Sequence, residues 1–249
     1  MNRIKAYDHN PRRTANPEYH RIKASIRSGG MDQPLVVTRR PGDADYMVYA
    51  GGNTRLRVLQ ELYAETGDDR FRCAPCVFRP WTQEADVLLA HLKENDLRGE
   101  LSFLDKARAL VEFKRLTAAE TADGELTQAQ LAEVLKARGY ALSQGRISQL
   151  EYTVETLLPL LPQALESGLG RPQVERIRSL DRAARGLWSE REGDTEEDYD
   201  SVFAALCRRY DAPEWDTDNL RRALEAEIAE RAGISIHAAS MAMDARLAG

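Results

Sequence analysis

The sequence predicts an α+β front domain followed by an all-helical remainder, and three observations carry that division. Short apolar runs of strand character, Leu35-Val-Val-Thr38, Tyr46-Met-Val-Tyr49 and Ala74-Pro-Cys-Val-Phe78, all fall before residue 80. Past residue 98 the apolar positions recur only at helical spacing. Charge divides the chain as well. Residues 1–40 hold nine Lys or Arg against three acids, so with −5 overall the remainder carries −11, an anion-binding front end with an acidic rear.

The 249 residues suffice for one large domain or two to three small ones, and 43% hydrophobic with 30% charged residues is ordinary for a helix-rich globular protein. No run of 18 apolar residues occurs, and Met1–Arg13 has no apolar stretch behind its charges. A membrane span and a secretory leader are therefore not expected, and the expected location is the cytoplasm. A net charge of −5 argues against a protein that coats nucleic acid indiscriminately. Cys73 and Cys76 form a lone CxxC with no second pair among Cys207 and four scattered histidines, so half a zinc site or a redox pair is less expected than plain core cysteines.

The elements follow in order. A helix is expected over 17–28 with Ile22 and Ile26 inward, stopped by Gly29-Gly30; Gln33-Pro34 then leads into the first strand. After the turn at Pro41-Gly42-Asp43 and the strand Tyr46–Tyr49 comes Gly51-Gly52-Asn53-Thr54-Arg55, opening a helix to about Glu65 with Leu56, Leu59 and Tyr63 periodic. Strand, glycine turn and helix start in that order gather free N–H groups on an anion, although a plain strand-to-helix connection has the same look. Helices over 82–95 and 102–116 follow, the first ending in Glu94-Asn95-Asp96-Leu97-Arg98.

From Leu126 the chain reads as two short helices. Thr127 with Gln130 is a capping box, Leu131, Val134 and Leu135 share a face, and Arg138-Gly139 is a stop. After a Tyr-Ala-Leu turn, Ser143 caps a second helix with Ile147, Leu150, Val154 and Leu157 or Leu158 inward. Its opposite face carries Gln144, Ser148, Gln149 and Tyr152, with Arg146 alongside. Gln suits adenine, Arg suits guanine and hydroxyls suit phosphate, so the stretch reads as helix-turn-helix. An ordinary helical hairpin is the commoner explanation of the stretch alone, and Gly145 and a turn longer than three or four residues weaken the match. A helix is then expected past Gly168-Leu169-Gly170-Arg171-Pro172 to about Trp188, a solvated acidic linker over Ser189–Tyr199, two helices near 200–209 and 217–231, and a loosely ordered tail.

Asn10-Pro11-Arg12-Arg13, Ser25-Ile26 with Gly30-Met31-Asp32-Gln33-Pro34, Gly52-Asn53-Thr54-Arg55, and Glu94-Asn95 with Arg98, followed by a helix-turn-helix, stand in one order. In that order they resemble the ParB family of partition proteins over roughly residues 8–185. Within it the chain is most similar to the ParB-like proteins of integrating conjugative elements, through Gly139-Tyr140, Ser143-Gln144 and Gly168–Val174. The resemblance implies a ParB/sulfiredoxin-like α+β domain over 1–98, an all-α helix-turn-helix domain over 99–188 and a small helical C-terminal segment with its acidic linker over 189–249.

It also implies a sequence-specific DNA-binding protein for partition or maintenance of a mobile element, a clamp that binds CTP with Mg²⁺. By position, Gly30, Gln33, Pro34, Gly52, Arg55, Asn95 and Arg98 become nucleotide residues, Asn95 a metal ligand, and Glu94 the residue that serves hydrolysis. Ser143, Gln144, Arg146, Ser148, Gln149 and Arg171 are the DNA candidates. The family's Gly-Glu-Arg-Arg is here Gly52-Asn53-Thr54-Arg55, one carboxylate and one arginine fewer. One lost charge-assisted phosphate contact costs about 1.5–3 kcal/mol, roughly ten- to a hundredfold in affinity.

With the first motif at Asn10, coupling to a ParA-type ATPase is expected to use a surface other than an N-terminal arm. The competing classes are a ParB-like nuclease or nucleotide-dependent enzyme, and an interaction module that keeps only the fold. Against a nuclease, the sequence gathers no Asp/Glu/His metal set beyond Glu94, Asn95 and Asp96. A homodimer is expected from paired half-sites, with the Leu220, Leu224 and Ile228 stripe as its seam or, equally, as part of a local core.

Overall fold

The computed structural model describes residues 3–99, 101–120, 124–190 and 196–248. It divides the chain into two compact units, Met1–Leu101 with Arg108–Leu142, and Ser102–Ala107 with Ser143–Gly249.

The first unit holds strands β1 (Ile4–Lys5), β2 (Leu35–Thr38), β3 (Tyr46–Val48) and β4 (Cys76–Phe78) in the order β1-β3-β2-β4. β2 and β3 form an antiparallel hairpin, β1 joins β3 in parallel, and β4 joins β2 in parallel. The strand Ile4–Lys5 is an addition to the expected set: two residues carry no periodicity, and only pairing of Ile4 with Tyr46 makes them a strand. Helices α1 (Tyr19–Gly29) and α2 (Asn53–Thr66) bury Ile26 with Val58, Leu59 and Leu62, and Leu56 of α2 packs with Leu35, Val37 and Val48. In α3 (Glu84–Leu97) Val87, Leu88 and Leu92 are buried.

After α4 (Phe103–Glu120), α5 (Gln128–Ala137) begins on the expected capping box. The Thr127 hydroxyl accepts from the Gln130 amide at 3.3 Å, and Gln130 Oε1 accepts from the Thr127 amide at 2.9 Å. Such a box is worth about 1 kcal/mol, because it satisfies two amides that the first turn leaves without partners. α5 belongs to the first unit and the next helix, α6 (Gln144–Tyr152), to the second.

In the second unit α6 passes into a π-helical turn, Thr153–Leu157, and is followed by α7 (Pro162–Glu166), α8 (Arg171–Trp188), α9 (Glu196–Tyr210), α10 (Thr217–Ala232) and α11 (Ile236–Ala248). They share one apolar core containing Leu157, Val174, Ile177, Trp188, Phe203 and Leu224. Asp181 is buried within it and accepts from the hydroxyls of Tyr152 and Tyr199, both at 2.9 Å. Burial and the Asp181 charge raise both phenols, so they stay protonated donors.

Three expectations are corrected here, and one alternative that the sequence left open takes its local-core form. The acidic stretch Ser189–Tyr199 is not all linker: α9 starts at Glu196 and Tyr199 is buried, because one aromatic with a buried acceptor anchors an otherwise solvated run. Residues 191–195 of that stretch lie outside the described residues. The tail is a helix, α11, held by buried Ala239 and Met243. The Leu220, Leu224 and Ile228 stripe is covered by its own chain, in a core with Phe203 and Leu206. Cys73 and Cys76 are exposed, since they lie at and before the short edge strand β4, and only Cys207 is a core cysteine. Among the described residues no helix is long and apolar enough to cross a membrane.

Candidate functional site

The turn from β3 into α2 organises the site. Gly51 and Gly52 have φ of +55° and +91°, and Gly52 caps α2 without any side-chain hydrogen bond to the first turn. A left-handed backbone favours glycine here, and the surroundings demand it as well. A Cβ on Gly51 would lie 2.5 Å from the Glu94 carboxyl group, and one on Gly52 would lie 2.9 Å from Leu35 Cδ2. Backbone without side chains, at the positive end of a helix dipole, is the local arrangement that accepts a phosphate.

In front of this turn is a cleft of about 280 Å³. Four arginines line it, Arg12, Arg21, Arg55 and Arg98, against the acids Glu18 and Glu94. A second cleft of about 290 Å³ is lined by Gly30, Met31 and Asp32 and shares Arg21, Ile22, Gln33 and Arg55 with the first. Arg55 joins the two: its Nη1 donates to the Gln33 carbonyl at 2.9 Å, which ties α2 to the loop after α1. Burial, then the neighbouring Arg98 charge, lower its pKa against the pull of Glu94; a guanidinium nonetheless stays charged.

α3 contributes two oxygen-bearing side chains to the cleft, Glu94 and Asn95. Glu94 pairs with Arg98 at 2.7 Å, one helical turn on. Asn95, only 7% exposed, donates from Nδ2 to the His91 carbonyl at 2.8 Å, so what it can offer a ligand is its side-chain oxygen. His91 also lines the cleft; its Nε2 lies 3.1 Å from the Val48 carbonyl and its ring stacks on Tyr7 with centroids 4.6 Å apart. Burial pushes its pKa down to about 4, so the ring is neutral at pH 7.

Of the expected nucleotide residues, Gln33, Gly52, Arg55, Asn95 and Arg98 line the first cleft, as does Glu94, the residue expected to serve hydrolysis. Gly30, at φ +80°, lines the second, while Pro34 is exposed and lines neither. Sequence reading did not assign Asn10, Arg12, Asn16, Arg21, Thr54 or His91 to the site. The Asn10–Arg13 motif was a signal for the first two. Arg21 had none, because its part depends on how α1 lies beside the glycine turn.

On α6, Ser143 caps the helix by accepting from the Arg146 amide at 3.2 Å, and Ser143 and Gln144 are exposed. Gln149 is 6% exposed and so does not stand on the open face. Its Oε1 accepts from Arg146 at 2.7 Å, and its amide nitrogen is 3.5 Å from the Arg171 carbonyl. Arg146 also lies over the Phe103 ring at 5.0 Å, a stacking that suits a planar guanidinium. Ser148 accepts from Arg178 at 2.6 Å, and Arg178 lies over Tyr152 at 5.5 Å. Arg171 is exposed, with Glu175 3.9 Å away. The face therefore presents Ser143, Gln144, Arg146 and Arg178 around a buried glutamine.

Elsewhere among the described residues, Asp8, His9 and Glu84 form a group of three metal-ligand types within 4.8 Å. Arg40 sits on both carboxylates, at 2.7 Å from Asp8 and 2.6 Å from Glu84. That guanidinium already compensates the charge a cation would meet.

A small mixed sheet, a two-glycine turn into an uncapped helix and converging arginines make the first unit a domain equipped to hold a polyanion. The same chain carries a helical unit with a polar, arginine-bearing helix start. Residues 1–95 match the ParB N-terminal domain family. The chain is 25% identical over 161 residues to a Rhizobium rhizogenes protein described as a replication protein B, covering 64% of this chain and 44% of that one. It thus spans less than half the length of that relative. Among solved structures it is similar to the C-terminally truncated chromosome-partitioning protein ParB of Caulobacter crescentus complexed to the centromeric parS site, at 17% identity and a TM-score of 0.39, over 98% of this chain and 96% of that one. It is also similar to the same protein complexed with CTP-gamma-S, at 21% identity and a TM-score of 0.32, over 71% and 87% of the two chains. At such scores neither superposition positions a residue of the cleft.

Proposed function

We propose that the protein is a ParB-like, sequence-specific DNA-binding protein for partition or maintenance of a mobile genetic element, in the manner of those in integrating conjugative elements, working as a CTP-dependent clamp. The observation that carries this reading is the cleft in which Arg12, Arg21, Arg55 and Arg98 converge on the uncapped start of α2. Helix-start amides and guanidinium forks suit a triphosphate, and the second cleft beside Gly30 and Gln33 leaves room for a base. The donor set also fits Mg²⁺, which prefers one or two hard oxygens plus phosphate: the Asn95 oxygen and the Glu94 carboxylate are such groups. When bound, the ion would neutralise charge between the phosphates. Glu94, hard against Gly51, is the residue we assign to hydrolysis.

DNA is read by a helix-turn-helix whose second helix is α6, with Gln144 and Arg146 at base edges and Ser143, Ser148 and Arg171 on phosphates. Gln149 acts in this reading by fixing the Arg146 fork. Two copies bind paired half-sites as a homodimer, a ParA-type ATPase is the partner, and the cytoplasm is the location.

Calorimetry of the full chain with CTP, with and without Mg²⁺, tests the cleft. Saturable binding that needs the metal and drops about ten- to a hundredfold in Arg55→Ala is expected. Equal heats for parent and variant would remove the site. A mobility-shift assay with DNA flanking the coding region tests the other half, and nicking of plasmid DNA with Mg²⁺ would favour the nuclease reading instead.

A further inference from the structure

A further cavity, of about 750 Å³, shares no residue with either cleft of the proposed site. All four strands contribute to it: Ile4 from β1, Tyr46 from β3, Val37 from β2 and Phe78 from β4. The pairing of Val37 with Phe78 places both on one face of the sheet. Val37 is buried there, yet Phe78, on the edge strand β4, is 54% exposed. The Phe78 ring meets the Tyr46 ring edge-on at 6.1 Å, and Tyr63 of α2 completes an aromatic lining. Aromatic area left open to water in this way commonly marks a contact surface.

Charge narrows the occupant. Arg3 and Arg72 line the cavity and no acid does. Arg3 donates one bond to the Ala44 carbonyl at 2.6 Å, and a guanidinium has five N–H groups. Arg72 is 3.7 Å from Asp69 with both side chains well exposed, an ion pair that water screens. A volume of this size suits a small molecule rather than a polypeptide.

We propose that this cavity is a second ligand site that takes a small planar aromatic anion, its rings among Tyr46, Tyr63 and Phe78 and its carboxylate, sulfonate or phosphate at Arg3 and Arg72. Aromatic faces give the rings an apolar surround and the forks give the acid group charge-assisted bonds. The exposed thiols of Cys73 and Cys76 stand in the wall and serve as reporters, whereas Cys207 is buried elsewhere.

The test uses 8-anilinonaphthalene-1-sulfonate as probe on the full chain. Its fluorescence is expected to rise to saturation at one equivalent, and saturation is expected to slow iodoacetamide labelling of Cys73 and Cys76, read site by site by mass spectrometry. Arg3→Ala and Phe78→Ser, both at exposed side chains, should each weaken binding about tenfold, the usual size of one lost charged contact or one lost aromatic face. Met241→Ser, at an exposed apolar residue of α11, should change nothing. Circular dichroism checks that the variants are folded, and Arg3→Ala carries the test if Phe78→Ser is not. Identical titrations for parent and cavity variants, or thiols labelled at the same rate with and without probe, would place the dye elsewhere and overturn the site. Displacement of the probe by CTP with Mg²⁺ would also overturn it, since the cavity would then be part of the nucleotide site.

Discussion

Gly51→Ala is expected to damage the protein twice, and the two parts can be separated. The first is backbone: at φ +55° an L-residue is strained by about 1–2 kcal/mol. The second is contact, because the new Cβ would lie 2.5 Å from both the Glu94 carboxyl carbon and Oε1. The flexible end of Glu94 can swing away, at about 0.5–1.5 kcal/mol for a strained rotamer. Its ion pair with half-exposed Arg98 adds about 0.5 kcal/mol at most if it breaks. The sum is about 1.5–4 kcal/mol, given these separate contributions.

Gly67→Ala is the control, at φ +67° with nothing within 4 Å of the added atom, and should cost only the backbone part, about 1–2 kcal/mol. Urea unfolding followed by circular dichroism measures both. The double variant Gly51→Ala/Glu94→Ala should return to the size of the control, and Gly51→Ala alone should also weaken CTP, since Glu94 lines the cleft. Equal costs for Gly51→Ala and Gly67→Ala, with CTP binding intact in the former, would refute the view that Glu94 is packed on the glycine turn.

Two further outcomes concern stability. Hydrogen bonds from Tyr19, then Lys23, hold the Glu61 carboxylate at about 2, well below its usual 4.5. A depressed acid contributes stability that is present above pH 4.5 and lost as pH falls towards 2, so the urea midpoint should drop across that window. The drop should be smaller in Glu61→Gln and in high salt, because the group is partly exposed; equal profiles would discount the cluster. Leu224→Ala, at a residue 1% exposed in the core of the second unit, should cost about 2–5 kcal/mol. It should leave the mass by light scattering unchanged, whereas a shift from dimer to monomer would return the α10 stripe to an interface.

Local signals were legible where a few neighbouring residues decide the backbone. Leu35–Thr38, the capping box at Thr127, the Ser143 cap and the end of α8 at Trp188 were all readable because caps, glycines and periodicity act within a turn or two. So was the glycine turn after β3, whereas six of the residues that line the first cleft were named through the family resemblance and not by local pattern. The rest required the chain to meet itself. Ile4–Lys5 is a strand only beside β3, and α11 holds as a helix because Ala239 and Met243 reach the core of the second unit.

The sequence by itself determined the chemical kinds of group on offer: arginines and glycines in the front domain, a polar helix start behind it, and amphipathic helices to the end. Tertiary structure alone decided which of them share a space. Arg21 joins Arg55 because α1 lies beside the loop that Arg55 grips. Gln149 is buried because Arg146 and the Arg171 carbonyl take its polar atoms, and a glutamine so satisfied can leave water. Cys73 and Cys76 are open because a sheet of four strands must end somewhere, and it ends at β4. Burial and convergence depend on residues tens of positions apart, and periodicity along one stretch carries no information about them.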